Sequence, residues 1–107
     1  MSQYHCQILV SLAYNLAWSE NQAEVDRLRK ALHQIDPRPA AINEPTEAEL
    51  LALDIDVFPG AFLKVAYLIE AETPDDAAVS LRRIVDRINA QNQPAWWFLR
   101  ALPVEAK

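Results

Sequence analysis

The opening stretch of the chain constrains the fold more than any other feature. Tyr4, Cys6, Ile8, Val10, Leu12, Tyr14, Leu16 and Trp18 are all apolar, with His5, Gln7, Ser11, Asn15 and Ser19 between them. A two-residue period belongs to extended backbone with one buried face, because successive side chains point to opposite sides. Such a strand needs partners along its edges and an apolar layer against its buried face. The run is long for one strand, so an end near Leu12 or Tyr14 is expected. Its second half is open to either strand or helix.

Two long helices follow from spacing and caps. Ser19-Glu20-Asn21-Gln22 reads as a capping box, and Val25, Leu28, Leu32 and Ile35 continue at helical spacing until Asp36-Pro37 ends the segment. Thr73-Pro74-Asp75-Asp76 is the clearest helix start. Thr73 caps, Pro74 takes the first helical position, and both carboxylates sit at the positive end of the helix dipole. Ala77, Leu81, Ile84, Val85 and Ile88 then form the buried stripe, with Arg82, Arg83 and Arg87 on the wet face. Between the two helices, residues 37–53 form an irregular connection, with room for a short extended piece around Ile42. A second capping box, Thr46-Glu47-Ala48-Glu49, opens a short helix to about Leu53.

The remaining strands are expected at Asp54–Phe58, Phe62–Ala71 and Ala95–Leu102. The first two read as a hairpin around Pro59-Gly60. A three-residue turn there, with Gly60 near its left-handed position, pairs Val57 with Leu63 and sets Asp56 opposite Lys64. A one-residue slip would invert every side chain, so turn length decides the faces. The resulting order is β-α-(short α)-β-β-α-β. This pattern predicts an α+β fold of ferredoxin-like βαββαβ architecture, an antiparallel sheet with two long helices on one face and a short extra helix before the hairpin. Residues 1–107 are read as one domain, with 103–107 as a tail.

Composition removes several function classes. Gly60 is the only glycine, so a Walker A loop, a dinucleotide-binding turn and a nucleophile elbow, which need several, are all excluded. Cys6 is the only cysteine, which precludes an intrachain disulfide and makes a reduced setting the default. The apolar run from Ile8 to Trp18 is broken by Ser11 and Asn15 and preceded by no Lys or Arg. It therefore reads as neither a secretory signal nor a bilayer span, and a cytoplasmic protein is expected. Net charge is −5, and from Ala40 to Asp76 nine acids face Lys64 alone. That balance lacks the electrostatic attraction on which nucleic-acid binding depends, so no nucleic-acid partner is expected.

Catalytic and metal chemistry find few residues to work with. His5, Cys6 and His33 have no partners at metal-site spacing, and His5 and Cys6 point to opposite faces of one strand. No cofactor, metal or catalytic set is expected. The run Trp96-Trp97-Phe98 is more informative. Alternation groups Trp96, Phe98 and Arg100 on one sheet face, and Arg100 is ill suited to the core beneath the helices. Phe62 and Leu68 share that open face, together with Leu9. The candidate partner-binding residues are thus Phe62, Leu68, Trp96, Phe98 and Arg100, with Arg100 at the rim. A patch this apolar points to a partner or to cover by the chain itself, through the short helix or the 37–45 loop.

The expectation drawn from this is a non-enzymatic interaction or regulatory module that forms a homodimer through the open face. One alternative is a dimeric α/β-barrel-type protein that binds a small molecule or catalyses without a cofactor, with His5 as its base. Another is an acidic accessory or inhibitor protein that docks on a basic partner.

Overall fold

The structure, a computed structural model, describes residues 2–12, 17–35, 38–54, 59–91, 96–101 and 105–106, without side chains at 12, 59, 91, 96–101 and 105–106. In chain order the elements are β1 (Ser2–Leu12), α1 (Gln22–His33), β2 (Ala41–Asn43), α2 (Glu47–Leu51), β3 (Phe62–Ala71), α3 (Pro74–Gln91), β4 (Trp96–Ala101) and β5 (Glu105–Ala106). Short 3-10 turns lie at Trp18–Glu20 and Pro59–Ala61. This is a small α+β protein built on an antiparallel sheet.

The strands lie in the order β2-β3-β1-β4, and β5 pairs with the other end of β1. Every described pairing is antiparallel. The alternation of the opening segment explains why β1 is central. Tyr4, Cys6, Ile8 and Val10 stand opposite Ile69, Tyr67, Val65 and Leu63 of β3, which makes one continuous apolar face. Against it pack Val25, Leu28 and Leu32 of α1, and Ala77, Leu81, Ile84 and Ile88 of α3. Trp18 closes the same core. Both helices therefore bury their stripes on one side of the sheet, as their spacing requires.

The caps divide. Thr73 Oγ1 accepts from the Asp76 N–H at 3.1 Å, and the Thr46–Glu49 box is complete in both directions. The expected Ser19 box does not form. Helix α1 begins later, with Asn21 at its N-cap and no side-chain cap, and Gln22 Nε2 donates to the Ser19 carbonyl instead. Trp18–Glu20 is already a 3-10 turn, so Ser19 lies inside a turn and not ahead of one.

The central hairpin needs the larger correction. The second strand beside β3 is β2, at residues 41–43, where only a short extended piece was allowed for. Asp54 leaves the end of α2 in a left-handed turn, φ 58°, a conformation that Asp tolerates better than most residues. Residues 55–58 lie outside the described residues. Lys64 is flanked by Leu9 on one side and Asn43 on the other, so both edges of β3 are taken there and Asp56 is not its cross-strand partner. No glycine has positive φ, and Gly60 sits instead in the Pro59–Ala61 turn.

Candidate functional site

The second face of the sheet, away from the long helices, carries the expected partner-binding residues. The register places Ser11 opposite Phe62, Leu9 opposite Lys64, Gln7 opposite Ala66, His5 opposite Leu68 and Gln3 opposite Glu70. These residues divide into a covered and an uncovered end.

At the covered end Leu9, Leu50, Ala61 and Phe62 form a separate buried cluster with Leu53 packed against it. Leu50 comes from α2, so the five-residue helix lies across this end of the face. The helix is pinned by one carboxylate that does two jobs. Glu49 Oε1 accepts from the Thr46 N–H at 3.0 Å, which completes the capping box, and Glu49 Oε2 accepts from Lys64 Nζ of β3. These contacts, led by the Lys64 hydrogen bond, hold the Glu49 carboxyl below its ordinary value. Cover by the chain's own short helix is therefore what the structure shows at this end.

At the other end cover is absent among the described residues. Leu68 is 38% exposed, Gln3 and Glu70 are exposed, and His5 and Gln7 are half-buried. Phe62 and Leu68 stand six positions apart on one strand, about 20 Å at the usual rise, so they do not form one patch. The structure buries Phe62 and leaves Leu68 open. Trp96, Phe98 and Arg100 lie on β4 opposite Leu12, Ser11 and Leu9, with side chains outside the described residues. A register shift falls between Ser11 and Leu12. Trp96 and Phe98 therefore do not occupy alternate positions of one unbroken ladder, a break that a simple two-residue count misses.

The potential chemical groups are dispersed. Cys6 is buried in the main core, and burial pushes its thiol up from the ordinary value, which favours the neutral form. Burial likewise pushes the Tyr67 phenol up. Ser11 Oγ and Trp18 Nε1 are buried with no hydrogen-bond partner among the described residues. Among the described residues no group of three His, Cys, Asp or Glu side chains could hold a metal ion. No described helix is long and apolar enough to cross a membrane.

One feature lay outside the sequence reasoning. A groove of about 330 Å³ runs between the outer edge of β3 and α3, with Arg83 and Arg87 along its helical wall. The sequence signal was present, two arginines one helical turn apart, but they read as an ordinary wet face. Only the premature end of β2 makes them border a groove. Comparison with protein-family models, with curated proteins and with solved structures finds no match to this chain.

Proposed function

We propose that the protein is a ferredoxin-like interaction module that pairs with a second copy of itself through the second sheet face. The order β2-β3-β1-β4, with antiparallel neighbours and a long helix after β1 and after β3, supports that architecture, with residues 41–43 as its second strand. The observation that carries the functional reading is the unequal cover of the two faces. One face lies beneath helices of 12 and 18 residues, the other beneath a helix of five. Exposed Leu68 leaves an apolar side chain at the uncovered end of that face, and the register sets position 98 opposite Ser11 near its other end. A two-fold axis would set this face against its own copy, the commonest closed arrangement for a small domain. The dispersed titratable groups favour binding over catalysis.

Light scattering across the micromolar range tests the reading, with Leu68→Glu and Phe98→Glu as variants. A dimer is expected for the parent chain, and a monomer with unchanged circular dichroism for Leu68→Glu. A parent chain that is monomeric throughout, or a dimer indifferent to both substitutions, overturns it.

A further inference from the structure

The outer edge of β3 offers a second surface, distinct from the face used for self-association. Strand β2 covers that edge only at Lys64, Val65 and Ala66. The Ala66 carbonyl accepts from the Ala40 N–H at 2.7 Å, so Ala66 directs its backbone groups outward, toward β2. By the two-residue repeat of an antiparallel strand, Leu68 and Glu70 direct theirs the same way, past the end of β2. Among the described residues nothing pairs with them there, since the pairings and the remaining backbone hydrogen bonds give neither an outer partner. Two N–H donors and two carbonyl acceptors thus stand open on a strand edge, an arrangement suited to adding another strand.

The groove beside this edge states what such a strand should carry. Its floor holds Ile69 and Ile84, and its helical wall holds Arg83 and Arg87, both exposed and neither in an ion pair among the described residues. Four helical residues rise about 6 Å. Alternate residues of an extended chain are about 6.6 Å apart. Two carboxylates at alternate positions therefore match the two guanidiniums in spacing as well as charge. Glu70 belongs to the opposite parity of β3, so the acids must point to the helical side and neutral or basic side chains to the other.

We infer that the groove between β3 and α3 receives an extended partner peptide bearing acidic residues at alternate positions, added to the sheet as a strand beyond β2. Main-chain bonds to Leu68 and Glu70 supply the pairing, and Arg83 and Arg87 select for the two acids.

The test uses the full chain and a fluorescein-labelled peptide, Gly-Ser-Glu-Val-Glu-Val-Ser, followed by fluorescence anisotropy. Its Gln-for-Glu twin should bind about tenfold or more weakly, as should the parent peptide with an Arg83→Gln, Arg87→Gln variant. A peptide N-methylated at the amides that face β3 should not bind, because those are the donors to the Leu68 and Glu70 carbonyls. Hydrogen exchange at the Leu68 and Glu70 amides should slow about tenfold or more on binding. Absence of binding at millimolar peptide overturns the inference, as does equal binding of the Gln twin or binding without amide protection. Protection of both amides in the free protein would mean that a second copy already occupies the edge, and this too overturns it. Both arginines are exposed on α3, so circular dichroism should show the variant folded. Monomeric protein leaves this test intact, so the two proposals fail separately.

Discussion

Leu50→Ala probes the arrangement that decides how much of the second sheet face is available. Leu50 is 1% exposed and packs against Leu9, Ala61 and Phe62. Truncation removes three carbon atoms, at about 0.8 kcal/mol each, or about 2.4 kcal/mol of transfer free energy. The cavity left behind adds to this, but α2 is only five residues long and can settle into part of the space. A loss of about 2.5–4 kcal/mol is expected, large against the 5–15 kcal/mol typical of a domain. Urea unfolding followed by circular dichroism measures it as a lower midpoint at unchanged slope. Leu51→Ala is the internal control, because Leu51 is 56% exposed and its truncation should stay within about 0.5 kcal/mol. A Leu50→Ala loss under about 1 kcal/mol, or equal losses for both variants, would refute α2 as the cover of Leu9 and Phe62.

Two further outcomes follow from single groups. Ser11 Oγ is buried with no partner among the described residues, and an unsatisfied hydroxyl costs about 1–3 kcal/mol, so Ser11→Ala should raise the urea midpoint by an equivalent of about 0.5–1.5 kcal/mol, whereas a destabilised variant would show that the hydroxyl is satisfied. The Glu49 carboxyl is held below its ordinary value, so its contribution is present above the unfolded-state value and is lost as pH falls through the folded-state value. Between about pH 6 and pH 3 the parent should therefore lose more stability than Glu49→Gln, which keeps the capping box but not the charge. Because Glu49 is partly exposed, the difference should be small and should shrink in salt; identical pH profiles would sink the argument.

Much of the fold was legible because its signals are local. The parity of Tyr4 to Val10 placed one face of β1 in the core, and the spacings of Val25–Leu32 and Ala77–Ile88 put both helices against it. Thr46 and Thr73 cap where their side chains reach backbone a few bonds away. Ser19 looked equally suitable, yet the 3-10 turn that encloses it left its hydroxyl no helix to start. Of the candidate site, Leu68 could be assigned to an exposed position from alternation alone, but Phe62 could not, because its cover comes from Leu50 of α2, twelve residues earlier in the chain.

The sequence by itself determined that β1 and β3 are strands, that α1, α2 and α3 are helices, and which side of β1, α1 and α3 is apolar, because those choices rest on backbone geometry repeating every two or every 3.6 residues. Tertiary structure alone decided that residues 41–43 pair with β3, where α2 lies, that Lys64 meets Glu49, and that the edge at Leu68 and Glu70 is left open among the described residues. These outcomes join residues distant along the chain. They are settled by competition among whole packings, to which contacts such as the burial of Leu50 on Leu9 and Phe62 contribute and which no local pattern encodes.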